Sequence, residues 1–330
     1  MTNKRMELVC PAGTPASLRA AVDAGGDSIY LGFRDETNAR NFPGLNFNRD
    51  ELRDGIAYAH DHGAQVLVAI NTYPRAGNID PWRLAVDDAA RLGADAIIVA
   101  DIGLADYARQ NHPQMRRNLS VQASASNPEA IRYYHEQLGV ARVVLPRVLT
   151  IPEIAELNAQ IPVETEVFVF GGLCVMAEGR CMLSSYATPC SPNREGVCSP
   201  AAHVRYEDKG DAMVTKLGDF TVNVSRSDEA AAYPTTCKGR YRVNGTDQYL
   251  FEEPASLSAL HMLPELAAAG VTGLKIEGRQ RGRAYVAKVV AAFRLAVDAV
   301  ARGEPVPLAE FSAITEGGRQ TTGAYRRNWQ

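Results

Sequence analysis

The sequence predicts an α/β protein, a (β/α) barrel-like parallel sheet interrupted after its seventh strand by an inserted cysteine-rich lobe. Three observations carry this. A helix-like stretch, a glycine, a short link and an apolar run recur, as in AVDAGGDSIYLGF, AHDHGAQVLVAIN, AARLGADAIIVAD, YHEQLGVARVVLPRV and LAAAGVTGLKIEG. Glycine after a helix takes the left-handed C′ position without a Cβ penalty, and a link of about two or three residues turns the chain into the next strand. The apolar runs are short and β-rich, as strands buried on both faces should be. The recurrence then fails between 172 and 255, where five of the six cysteines lie.

In chain order, MELVC at 6–10 reads as the first strand, and the runs 28–33, 65–70 and 96–100 as the next three. LSVQA at 119–123, the run 142–146 and ETEVFVF at 164–170 supply strands five to seven, and 273–276 the eighth. Asn127 before PEAIRYYHEQ reads as an N-cap with proline at the first helical position. In 284–302, Val286, Val289, Val290, Phe293, Val297 and Val300 form one stripe at helical spacing. Eight such units make a closed barrel the natural architecture. A doubly wound sheet is the alternative, but no GxGxxG follows an early strand. The expected division is 1–171 for the first seven βα units, 172–255 for the lobe, and 256–330 for the last unit and tail. Within the lobe, HVRYED, DFTVNV and RYRV alternate as short strands do.

Composition bounds the function. A net charge of −3 over 330 residues gives no electrostatic drive towards nucleic acid, so no stable nucleic-acid partner is expected. No apolar run reaches 18 residues, and the N-terminus lacks an apolar signal core, so no transmembrane segment and a cytoplasmic location are expected. In that compartment thiols stay reduced, which favours metal-binding cysteines over disulfides. Cys174, Cys181, Cys198 and Cys237 are spaced C-x6-C, x16 and x38, with no close pair. Structural zinc sites usually use a close pair, whereas four scattered thiolates suit an iron–sulfur cluster; zinc and inert buried thiols are the alternatives. The lobe is therefore expected to be cluster-binding. Cys10 reads as a small buried hydrophobe and Cys190 as a spare thiol. His60 and His62 face different sides of a helix. There is no HExxH and no GxSxG, which removes the common metallopeptidase and serine-hydrolase arrangements.

Barrel enzymes work at the C-terminal ends of their strands. Here those ends are polar, with Asn71, Gln122 and Arg147 after strands three, five and six and Glu277 and Arg279 after strand eight. The bland reading of each such group is a helix cap or a loop hydrogen bond. Arg40, Arg147 and Arg279 are candidate anchors for a carboxylated ligand, because guanidinium binds carboxylate bidentately. No residue is singled out as catalytic. The Arg326–Arg327 pair reads as solvated surface.

The stretch EVFVFGGLCVMAEGRCMLS at 166–184 resembles the signature of the collagenase-like peptidase family, the U-type family numbered thirty-two; Gly172 stands where that family usually has Ser or Ala. CPAG at 10–13, CKGRY at 237–241 and KIEGR at 275–279 extend the resemblance over most of the chain. Within the family, DETNARNFPGLNF (35–47), SVQAS (120–124), ARVVLPRVL (141–149) and the ending TTGAYRRNWQ resemble the members that serve oxygen-independent ubiquinone biosynthesis. That resemblance implies a 4Fe–4S cluster on Cys174, Cys181, Cys198 and Cys237. It implies a heterodimer with a UbiV-like paralogue, hydroxylation of a prenylated quinone precursor without O2, and prephenate as oxygen donor. An RNA base hydroxylation factor of the same family and a non-catalytic electron-relay or scaffold subunit are the competing readings.

Overall fold

The computed structural model describes residues 5–307 and 309–327. The charged Met1–Lys4 and the last three residues of TTGAYRRNWQ lie outside the described residues. β1 (Glu7–Pro11), β2 (Ser28–Gly32), β3 (Gln65–Ile70), β4 (Ala96–Val99), β5 (Arg116–Leu119), β6 (Val140–Val144) and β7 (Glu164–Gly172) pair in sequence order, all parallel. α1 (Pro15–Asp23) follows β1, and α2 (Arg49–Asp61), α3 (Asp80–Leu92), α4 (Ile102–Asn111), α5 (Pro128–Leu138) and α6 (Ile151–Asn158) follow β2 to β6. Beyond β7 come the short α7 (Pro192–Glu195), a three-stranded antiparallel sheet of β8 (Val204–Asp208), β9 (Ala212–Leu217) and β10 (Phe220–Arg226), and a hairpin of β11 (Arg240–Val243) and β12 (Thr246–Tyr249). β13 (Ser256–Ser258) then returns antiparallel to the end of β7. After α8 (Leu263–Ala268), β14 (Gly273–Ile276) pairs with both β7 and β1 and closes an eight-stranded parallel barrel. α9 (Arg283–Ala301) packs on α1 and β1, and β15 (Gln320–Thr321) joins β13.

Most elements sit within two residues of their expected bounds, but strand five does not. It runs over Arg116–Leu119, and Val121–Ala123 is a 3-10 turn ending on Ser124 at φ 52°. The strand was hidden because it carries charge. Arg116 reaches Glu164 at 2.7 Å, while Arg117 is buried and donates to the carbonyls of Met115 (2.7 Å) and Leu138 (3.0 Å). Asn127 accepts from Ala130 N at 2.8 Å with Pro128 behind it, and Val286, Val289, Val290, Phe293 and Val297 are buried.

The barrel interior is layered. Val9, Tyr30, Leu67, Ala69, Ala96 and Ile98 form a small apolar cluster of their own, separate from the larger core that holds the helices to the sheet. Beside it sits a buried ionic group. Lys275 pairs with Glu166 at 2.6 Å, and Arg142 contacts Glu166 (3.3 Å), Glu164 (2.5 Å) and Glu7. Burial holds the Lys275 ammonium below its usual range even with Glu166 against it. Such a group is stable only while every charge has its partner. A register shift in β7 beside Ile276 re-aims the strand, so that Phe170 packs on Phe293 and Phe311.

Glu166→Gln leaves Lys275 and Arg142 without their shared carboxylate and should destabilise the fold by about 3 kcal/mol, the range for breaking a buried pair. Urea denaturation checks this, and a change below about 1 kcal/mol would mean that the charges rearrange among Glu7 and Glu164.

Candidate metal centre at the barrel mouth

β7 runs past the barrel through Gly171 and Gly172 to Cys174, which brings the first thiol to the C-terminal mouth. The two glycines are needed there. Gly171 holds φ 115°, and a Cβ on it would stand 2.7 Å from the Glu277 carbonyl; one on Gly172 would collide with Glu277 Oε2. The Gly172 departure from Ser or Ala thus leaves room for the Glu277 carboxylate.

Glu277 is the hub of this mouth. Arg40, from the loop after β2, pairs with its Oε1 at 3.2 Å, and Arg147, after β6, with its Oε2 at 3.4 Å. Burial alone would raise its pKa; Arg147 and Arg40 outweigh that and hold it down at about 2. Arg147 also pairs with Glu178 of the lobe at 2.6 Å, donates to the Gly172 carbonyl and lies 4.1 Å from the centre of the Phe168 ring. Burial works against its charge, but Glu178 and Glu277 push its pKa up. Arg40 donates to the Gly196 carbonyl, again in the lobe. Two further glycines let the lobe approach: Gly179 (φ 81°) abuts the Gln122 carbonyl and Gly196 (φ 69°) abuts Ala39, with no room for a Cβ at either.

Cys174, Cys181, Cys198 and Cys237 are coupled electrostatically to one another. Cys174, Cys181 and Cys237 are half-buried and Cys198 is exposed, and desolvation by the surrounding chain pushes up the pKa of Cys174, Cys198 and Cys237, the last to about 12. Each also feels others of the set: Cys174 feels Cys237, Cys237 feels Cys198 and Cys181, and Cys198 feels Cys181. Three cations counter the rise, Arg147 acting on Cys174, Arg40 on Cys198, and Lys238 on both Cys198 and Cys237. The thiol of Cys174 donates to the Met176 carbonyl at 3.2 Å. All six cysteines are free. Cys190 lies apart, with Glu195 and Thr188 as its neighbours, and Cys10 is buried in β1 near Asp27 and Arg294. Among the described residues no three His, Cys, Asp or Glu side chains form a ready-made single-ion site.

The remaining expected residues divide. Asn71 is a brace, accepting from Ala39 N at 3.0 Å and donating to Ser120 Oγ at 3.3 Å. Gln122 takes the Tyr73 hydroxyl on its backbone carbonyl at 2.7 Å, while its side-chain Oε1 is buried without a partner. Arg279 is buried over the barrel lumen, 5.7 Å from the Tyr30 ring centre, and Nη1 donates to Asn38 at 3.1 Å. Sequence reasoning missed Glu178, Lys238, Asn38 and Tyr30. Glu178 and Lys238 were in view, inside MAEGR and CKGRY, but a charged residue beside a cysteine reads as surface until its partners are known.

Comparison with known proteins bears on this site. A family model described as peptidase family U32 matches residues 13–323. The chain is 32% identical over 318 residues to the tRNA hydroxylation protein P of Escherichia coli (strain K12), covering 91% of this chain and 69% of that protein. It is 30% identical to the collagenase of Porphyromonas gingivalis, over 90% of this chain and 66% of that one. To the 23S rRNA 5-hydroxycytidine C2501 synthase of Escherichia coli it is 27% identical, over 91% of this chain and 40% of that one.

Glu277 has a depressed pKa, so the stability its ionisation contributes is complete above its unfolded value of 4.5 and is lost as pH falls towards about 2. Glu277→Gln should therefore be less stable than the parent at neutral pH, with the gap closing between about pH 4.5 and 2 in parallel acid melts. A gap that is independent of pH would place the effect in packing and not in the shared charge.

Proposed function

The chain belongs to peptidase family U32, and from that premise we propose that it is the iron–sulfur subunit of an oxygen-independent hydroxylase. The observation that supports the reading is the electrostatic coupling of Cys174, Cys181, Cys198 and Cys237, thiols of the lobe that follows β7 at the C-terminal mouth of the barrel. The donor set fits a 4Fe–4S cluster. Four thiolates coupled to one another need positive charge nearby, and Arg40, Arg147 and Lys238 supply it. A single tetrahedral ion draws its sulfurs to about 3.8 Å from one another, given metal–sulfur bonds of about 2.3 Å. A cube of four irons holds its four ligands farther apart than that. A bound cluster would supply one-electron chemistry. The protein side would hold it, exclude bulk water with the lobe, and keep Glu277 anionic between two guanidinium groups.

Relatives named for tRNA and rRNA hydroxylation support a hydroxylase role in general. Peptidase chemistry finds less support. The thiols are pushed towards their neutral form, the reverse of an activated nucleophile. Four of the six histidines are engaged on the outer helices, His60 with Asp95, His112 with Asp87, and His62 and His135 with backbone carbonyls. For the substrate we take a prenylated quinone precursor, with prephenate as oxygen donor, a UbiU-like role in ubiquinone biosynthesis. The matching segments sit at the mouth: Asn38 and Arg40 belong to DETNARNFPGLNF, Gln122 to SVQAS and Arg147 to ARVVLPRVL. Base hydroxylation of RNA is the second reading, favoured by the names of the relatives and opposed by the net charge of −3.

A UbiV-like paralogue is the proposed partner. The lobe exposes Met182, Tyr186, Phe220, Val224, Leu250 and Phe251, apolar surface of the kind that marks protein contacts.

Anaerobically purified protein should carry about four irons. Cys174, Cys181, Cys198 or Cys237 changed to Ala should each strip most of the iron, and Cys10→Ala or Cys190→Ala should not; stoichiometric zinc in a colourless protein would sink the cluster. Co-expression with the paralogue should give a one-to-one heterodimer by size exclusion with light scattering. The reconstituted pair, offered a prenylated phenol and unmodified tRNA in parallel, should hydroxylate the phenol, and turnover of the tRNA alone would move the assignment to the second reading.

A further inference from the structure

The cations of the mouth are unequally engaged. Arg147 is held by Glu178 and Glu277, Arg40 by Glu277, and Lys238 by Glu316 at 2.5 Å. Arg279 is as buried as Arg147, yet among the described residues it has no carboxylate within ion-pair distance. Its one hydrogen bond is to the neutral amide of Asn38. The donors left over are not among the sealed, partnerless atoms of the molecule, so they reach solvent-accessible space. Burial brings its pKa down to about 10, which still leaves it charged at neutral pH.

A guanidinium kept charged, nearly enclosed and unpaired is costly unless an anion completes it. The fold also holds this one in place. Gly13, two residues past β1, lets the backbone pass against the Arg279 carbonyl, with no room for a Cβ. A Cβ on Gly32, at the end of β2, would stand 2.9 Å from Arg279 Nη1. Asn38 is itself tied to the Phe33 carbonyl and to Arg40 N. Two glycines and an oriented amide therefore aim the guanidinium over the Tyr30 ring at the axis of the barrel.

We propose that Arg279 is the oxyanion receptor of the barrel mouth, binding one carboxylate of a small substrate through its free donors, while Arg40 and Arg147 serve only to fix Glu277 and the lobe. Arg40 and Glu277 both act on Arg279 electrostatically. The assignment rests on the mouth being the working face, as proposed above, but it is tested by binding and not by turnover.

The experiment is calorimetric titration of the anaerobically prepared protein with prephenate and, separately, with inorganic phosphate. Arg279→Met should weaken prephenate binding by at least about tenfold, the order of one charge-assisted bidentate contact. Arg279→Lys, which keeps the charge but not the fork, should weaken it about threefold or more. Arg281→Met removes an exposed charge two residues away and should stay within about twofold of the parent. Tighter binding of phosphate than prephenate would replace the carboxylate by a phosphate ligand and overturn the stated class. Parental affinity in either Arg279 variant, or equal loss in Arg281→Met, would overturn the receptor itself. If Arg279→Met does not fold, the Lys variant decides. Loss of binding with no hydroxylation by the parent protein would leave the receptor standing and remove the proposed reaction.

Discussion

One carboxylate organises the C-terminal mouth of the barrel. Glu277 lies between Arg40 and Arg147, and through them it joins the end of β14 to the loop after β2, the end of β6 and the lobe. The geometry leaves nothing for a side chain where β7 passes, so Gly171 and Gly172 follow from Glu277 as much as from their own conformations. Because two guanidinium groups share it, Glu277 stays ionised far below neutral pH. The family segments met separately along the sequence are therefore one structure: KIEGR supplies the carboxylate, the glycine pair makes room for it, and MAEGR returns Glu178 to hold Arg147.

The barrel interior explains how so charged a mouth is supported. An apolar layer around Tyr30 is followed by the ionic group of Glu7, Arg142, Glu164, Glu166 and Lys275. Tyr30 belongs to both ends: its hydroxyl donates to the Ile276 carbonyl at 2.9 Å, Lys275 Nζ lies 3.9 Å from its ring centre, and Arg279 lies on the mouth side. Buried pairs of this kind contribute little net stability, because desolvation offsets their attraction. Their effect is on specificity of arrangement, since a strand shifted by one residue would strand several charges at once.

The barrel was legible because glycine-terminated helices and apolar runs are local signals, each complete within about fifteen residues. Strand five was not, because Arg116, Arg117 and Asn118 take partners from β6, β7 and α5 that no local window contains. The candidate site was legible as a list of residue types at strand ends but not as a set of pairings. Arg40, Arg147 and Arg279 look alike in sequence; only the positions of Glu178 and Glu277 separate the two that are neutralised from the one that is not. Asn71 likewise reads as a ligand group and turns out to brace Ala39 and Ser120.

The account stands or falls on what the thiol pocket holds. Crystals grown anaerobically and measured on both sides of the iron absorption edge would locate the metal directly. The account predicts one compact anomalous peak, large enough for several irons, bounded by the sulfurs of Cys174, Cys181, Cys198 and Cys237. A peak at the zinc edge alone, or iron bound through Cys190 in place of any of the four, would contradict it.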